Sequence, residues 1–238
     1  FLNHPRLYGC PFWGRMEWRR TLQILAANEI FVFSAPNLPR KRILEGSSAM
    51  DLAKELDIYL RARFALIHVV SREEERVVAE LNALCQKSGR ALFVWDIADH
   101  FRKLVGDGPE PQPAKDPLSA LDAIEKMDGE CVFLLPDFHQ CWKAQSVVVR
   151  KLRNLTHKLK YTRKSLIISS PSSDIPEELK DDIVVLDFPP PGYDELSAIL
   201  GHLEKTPGVK FDLDDDLRDR MVSLALGLSL SQAQRVFS

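Results

Sequence analysis

The sequence predicts an α/β fold of three layers, with a parallel five-stranded sheet covered by helices on both faces. Two observations predict it. Short apolar runs alternate along the chain with longer stretches in which apolar residues recur at helical spacing. The runs, such as Ala65–Val70 and Cys131–Leu135, are continuously apolar rather than alternating, as strands buried on both faces require. The chain has 238 residues, 45% of them hydrophobic, so one complete core and a smaller appendage can be built.

The elements follow in order. Residues 1–49 read as an upstream extension, with Ile30-Phe31-Val32-Phe33 its one convincing apolar stretch. Regular patterning begins at Met50. Leu52, Leu56, Tyr59 and Leu60 fall on one face of a helix over 51–63, and Phe64–Val70 is a strand. A helix over 72–87 turns Val77, Leu81 and Leu84 inward and stops at Gly89. Ser71 is its expected N-cap. Ala91–Trp95 is the second strand. The Pro- and Gly-rich stretch "GDGPEPQPAKDP" is a loop. Asp116 or Ser119 caps a helix through Met127, and Cys131–Leu135 is the third strand. A long helix spans 145–161, Ser165–Ser169 is the fourth strand and Ile183–Leu186 the fifth. A helix to Glu204 follows. The remainder gives two helical segments broken at Gly227. The expected division is an α/β domain over 50–205 and a helical piece over 206–238. The chain starts at Phe1 and stops within a helical pattern, which suggests a fragment of a longer protein.

Bulk properties exclude several classes. A net charge of −2 removes any whole-chain polycation argument for nucleic acid. Four cysteines without a CxxC pair suit a reducing interior. No apolar run approaches the length of a membrane span, and no signal-peptide pattern opens the chain.

The order of features resembles an AAA+ ATPase module, a P-loop NTPase fold with a helical lid. "CVFLLPDFHQ" stands at the Walker B position and "SLIISSPSSDIPEEL" at the sensor strand. "LDDDLRDRMVSLALGLSLSQAQRVF" resembles the lid. More closely, "ELDIYLRARFALIHVVSREEERVV", "LFVWD", "VFLLPDFH", "TRKSLIISSP" and "VVLDFPPPGYDEL" resemble the AAA ATPases found as a conserved open reading frame in plastids and cyanobacteria. That resemblance implies two modules in tandem, a degenerate first and an intact second, with this chain as the first. It implies ATP and Mg²⁺ as cofactors of the parent protein and none in this fragment. It further implies a downstream AAA+ module and other copies of the protein as partners, in the cytoplasm or plastid stroma. The role it suggests here is non-catalytic, in assembly or regulation.

The junction after the first strand departs from the phosphate-loop pattern. GxxxxGK[ST] supplies glycines that let backbone N–H groups close on phosphates, a Lys that neutralises them and a hydroxyl for Mg²⁺. This chain has Ser71-Arg72-Glu73-Glu74-Glu75-Arg76 there, and no Gly-Lys dipeptide anywhere. Three glutamates repel an anion but suit the positive end of a helix dipole.

Asp137 stands where a Walker B acid would hold Mg²⁺, with Phe138 in place of the usual catalytic Glu; as a plain loop residue it would simply cap the next segment. Ser169, followed by Ser170, stands where a sensor residue would meet a γ-phosphate. Asp137 and Ser169 are therefore the nucleotide-site positions, in degenerate form, and no catalytic residue is assigned. Asp137, His139 and Cys141 alternate, but no second cluster completes a metal site, so no metal is expected. The helix "VVVRKLRNLTHKLKYTRK" buries Val148, Leu152, Leu155 and Leu159 and carries a basic stripe of Arg150, Arg153, Lys160 and Lys164. Such a stripe is most often a solvated face. As a binding face it would suit an acidic protein surface or a nucleic-acid backbone, the latter weakened by the absence of aromatic platforms. An interaction domain that works through this helix is the alternative reading of the chain.

Overall fold

The structure is a computed structural model that describes residues 49–204 and 214–237. The expectations for residues 1–48, the strand at 30–33 among them, lie outside the described residues. Helix α1 (Ala49–Arg61) leads into β1 (Leu66–Val70), α2 (Glu74–Ser88), β2 (Ala91–Asp96) and β3 (His100–Val105). Then come α3 (Pro117–Lys126), β4 (Cys131–Pro136), α4 (His139–Ala144), α5 (Ser146–Leu159) and β5 (Ser165–Ser170). A 3₁₀ turn (Glu177–Leu179), β6 (Val184–Asp187), α6 (Tyr193–Glu204), α7 (Asp215–Ala225) and α8 (Leu230–Phe237) complete the chain.

The sheet has six strands in the order β3-β2-β4-β5-β1-β6. β1, β2, β4, β5 and β6 pair in parallel, with β4, β5 and β1 innermost, as their unbroken apolar character predicts. The sixth strand corrects the expected count of five. β3 runs antiparallel to β2 as the second arm of a hairpin. Asp96 accepts the N–H groups of Ala98 and Asp99, which turns the chain, and His100 takes φ 60° at the turn's exit. The strand was hidden in the sequence because it lies at the sheet edge. Its Arg102, Lys103 and Leu104 are exposed, so no run of apolar residues marks it.

The two faces of the sheet build two cores. Leu66, Phe93, Trp95, Phe133, Leu135, Leu166 and Ile168 pack with α3, α4 and α5. Ile67, Val69, Leu92, Val94, Val132, Leu134 and Ile167 pack with α1 and α2. A third cluster joins Leu196 and Leu200 of α6 to Val222, Ala225, Ala233 and Phe237 of α7 and α8. Helix α6, which the sequence division placed with the α/β domain, thus shares its apolar face with the terminal helices.

Local chemistry refines three boundaries. Gln145 is extended and separates α5, which matches the helix expected over 145–161, from the short α4, which was not expected. Asp116 caps α3 by accepting from Leu118 and Ser119 N–H, as expected. Ser71 is not the cap of α2. Glu73 holds that position, and the Ser71 hydroxyl accepts the Glu73 N–H at 3.0 Å in a turn just before the helix. Gly89 ends α2 with φ 69°, the left-handed conformation for which glycine is suited.

Candidate functional site: the carboxyl edge of the sheet

Parallel pairing brings the ends of β1, β4, β5 and β6 to one edge. Ser71 N–H donates to Ser170 O, Asp137 N–H to Ser169 O and Phe188 N–H to Val70 O, all within 2.9 Å. The two positions singled out for a nucleotide, Asp137 and Ser169, are therefore joined through their backbones. Their side chains differ in environment. Ser169 is buried, whereas Asp137 is largely exposed and sits at φ 51° immediately after Pro136. His139 is buried with its Nδ1 3.7 Å from Asp137 Oδ1, too far for a hydrogen bond. Cys141 is half-buried. Among the described residues, no group of three or more His, Cys, Asp or Glu is arranged to hold a metal ion.

The strand-to-helix junction is closed by its own side chains. Arg76, in the first turn of α2, is buried at 7% exposure. Its guanidinium pairs with Glu73, donates to Pro189 O at 2.9 Å and reaches both oxygens of Glu195 at 2.8 and 3.0 Å. It also lies 4.2 Å over the Phe188 ring. Glu195 stands in the first turn of α6 and accepts the Gly192 N–H at its start. The other oxygen of Glu73 accepts the Leu230 N–H at the start of α8. One buried cation is thus held by two carboxylates that belong to different elements. Next to it, partial desolvation pushes the Glu74 carboxyl above its ordinary value, helped by the charges of Asp137 and Asp96. The three glutamates therefore play separate parts: Glu73 is an internal partner, while Glu74 and Glu75 are exposed.

Sequence reasoning did not single out His68. It lies fully buried in β1, and its Nε2 is 2.7 Å from Ser170 Oγ. Ser170 Oγ in turn donates to Ser172 O at 2.7 Å, so its only proton is used and His68 Nε2 is the donor. Nδ1 of His68 is left without a partner among the described residues. Burial, and next the proximity of His139, lowers its pKa to about 4. The one available signal was a polar residue inside an apolar run.

The basic helix is largely neutralised. Arg153, His157 and Lys160 converge on Asp182 at 3.7, 3.6 and 2.7 Å. Lys151 pairs with Asp122 and Glu125, and Lys158 with Glu125. Hydrogen bonds from these two lysines depress the Glu125 pKa to about 2. Arg150 is exposed. Lys164 does not belong to the stripe. It is 6% exposed, and its ammonium donates to the carbonyls of Ile124, Glu125 and Met127 at 2.7–3.0 Å. Cys85, Cys131 and Cys141 are free thiols, and burial pushes Cys85 up to about 11 and raises the other two. Among the described residues, no helix is long and apolar enough to cross a membrane.

A family model for the N-terminal domain of SpoVK-like AAA ATPases matches residues 52–188, ending where β6 hands over to the helical cluster. The AAA domain-containing protein ycf46 of Guillardia theta is 31% identical over 192 residues, 79% of this chain and 37% of that protein. Its counterparts in Trieres chinensis and Pyropia yezoensis are 31% and 30% identical, over 79% of this chain and 38% of theirs. The chain thus spans a little under two fifths of the length of these relatives. The six-stranded, mostly parallel sheet with its helical layers is of the P-loop NTPase type that these matches imply. This chain belongs to the family of SpoVK-like AAA ATPase N-terminal domains and, within it, is an AAA+-type module related to the ycf46 proteins.

Proposed function

We propose that this chain is a non-catalytic N-terminal module of an AAA ATPase, serving assembly or regulation, while a downstream module binds and hydrolyses ATP. The observation that carries the reading is the closed junction after β1. Where a phosphate loop would present free N–H groups and a lysine, Glu73 is committed to Arg76 and to the Leu230 N–H, and Glu74 and Glu75 stand beside it. A triphosphate does not fit that arrangement. Its charge would meet three carboxylates, and the nearest cation, Arg76, is already held by two. The degenerate Walker B reading of Asp137 agrees with this, because the adjoining Phe138 is buried in the core and offers no general base. Partners on this reading are the downstream module and further copies of the same protein. The free thiols of Cys85, Cys131 and Cys141 suit an aqueous reducing compartment such as cytoplasm or plastid stroma.

Isothermal calorimetry of residues 1–238 with ATP–Mg²⁺ tests the reading. The expected dissociation constant is roughly millimolar or weaker, a binding free energy no more favourable than about −4 kcal/mol. A micromolar isotherm that disappears in Asp137→Ala would make this module a nucleotide-binding one and reject the proposal.

A further inference from the structure

In a two-part module, something must fix the helical cluster against the sheet. Among the described residues the buried apolar side chains of the two parts form separate clusters, and polar groups bridge them at the junction. Two arms reach from α2 to the helical cluster, and each ends on a different helix. Arg76 grips Glu195 of α6, and Glu73 grips the Leu230 N–H of α8. The α8 terminus is built to receive such a group. Ser229 and Gln232 satisfy one another, with Gln232 Oε1 accepting Ser229 N–H and Ser229 Oγ accepting Gln232 N–H. The Leu230 N–H is left over by this capping box, and the Glu73 carboxylate takes it.

We propose that the Glu73–Arg76–Glu195 network is a permanent latch that holds helices α6–α8 shut against the sheet. The carboxylate of Glu73 bridges the start of α2 and the terminal helices. Both partners are well sequestered, with Arg76 at 7% and the Glu73 side chain at 10% exposure. Opening would separate the Arg76 guanidinium from Glu195 and the Glu73 carboxylate from the Leu230 N–H, leaving Arg76 only Glu73, the Pro189 carbonyl and the face of Phe188. The position of the helical cluster is then set by the chain itself. The latch stands on this geometry alone. A micromolar ATP isotherm would refute the non-catalytic reading without measuring the latch, because the latch is read in the absence of nucleotide.

Hydrogen–deuterium exchange of the 1–238 chain provides the test. In Glu73→Ala, amides over 222–237 are expected to exchange at least tenfold faster, while those of β1, β4 and β5 keep their wild-type rates. Glu195→Gln is expected to release residues 193–204 in the same manner. Millimolar ATP–Mg²⁺ is expected to leave the wild-type pattern unchanged. Unchanged exchange of the helical cluster in both variants would overturn the latch. So would acceleration of the cluster and the strands together, because the network would then be one more part of a single cooperative fold. A tenfold slowing of the wild-type cluster by nucleotide would show that it is normally open and would also overturn it. Should Glu73→Ala not fold, Glu73→Gln, which keeps an oxygen for Leu230 but removes the charge facing Arg76, is read by the same two comparisons.

Discussion

His68 shows how a single side chain sets a pH limit on the whole fold. It is buried and neutral, it donates to Ser170, and its other nitrogen has no partner among the described residues, so a proton arriving there would be buried without compensation. The folded pKa of about 4 lies below the ordinary histidine value of 6.5, so the unfolded chain takes up the proton first as pH falls. The stability contribution is complete above pH 6.5 and is lost as pH falls towards about 4. Linkage gives a loss of about 2 kcal/mol between pH 7 and pH 5 from this residue. Urea unfolding at those two pH values should show that increment in the wild type and lack it in His68→Gln, whose side chain cannot be protonated. Equal losses in the two proteins would assign the acid sensitivity to other groups. Spacing could not reveal this residue, since its role depends on Ser170, 102 positions away and brought near only by the β1–β5 pairing.

Elements differed in how plainly they could be read. The four interior strands, β2, β4, β5 and β1, are plain in the sequence because burial on both faces demands unbroken apolar runs. β3 did not, because an edge strand pairs on one side only and keeps Arg102 and Lys103 in solvent. The long basic helix was half legible. Its apolar stripe was read correctly, with Val148, Leu152, Leu155 and Leu159 all buried. Lys164 departs from the stripe because α5 ends at Leu159 and helical periodicity does not reach it. The chain has by then turned, and the lysine stem runs inward to the carboxyl end of α3. There its ammonium serves three carbonyls that the helix cannot satisfy itself. Burial lowers the Lys164 pKa, with the charges of Asp128 and Glu125 opposing the shift. Lys164→Met keeps the stem and removes the donor. It should cost roughly 1–3 kcal/mol in urea unfolding, the range for leaving buried acceptors unsatisfied. A change below about 0.5 kcal/mol, normal for an exposed lysine, would contradict the capping role.

At the scale of the molecule, sequence alone reached the architecture and the absence of a glycine–lysine phosphate cradle, but not what occupies the junction instead. The partners of Glu73 and Arg76 come from Pro189, Glu195 and Leu230, more than a hundred residues downstream, and only the closed fold brings them together. The same holds for the basic stripe. Its cations were visible in sequence, whereas Asp122, Glu125 and Asp182, which answer them, lie on α3 and on the segment before β6.

Those three acids have a consequence for how this protein behaves on a charged matrix. They act as a mask. Arg153, Lys160, Lys151 and Lys158 are spent on carboxylates, so a polyanion approaching α5 finds few counterions to displace. Removing the mask should create a binding surface for polyanions. Glu125→Gln with Asp182→Asn raises the net charge from −2 to 0 (−2 + 2) and frees Arg153, Lys158 and Lys160, while Lys151 keeps Asp122. On heparin–agarose the wild type should elute early and the double variant at a salt concentration higher by roughly 0.1 M. A control that removes two exposed acids elsewhere, Asp107→Asn with Glu178→Gln, makes the same change in net charge and should elute with the wild type. Equal retention of the two variants would mean that total charge governs adsorption. Retention of the first alone would mean that ordinary missense changes at two carboxylates can endow this fold with an affinity for polyelectrolytes, a gain of stickiness produced entirely by loss of an internal partner.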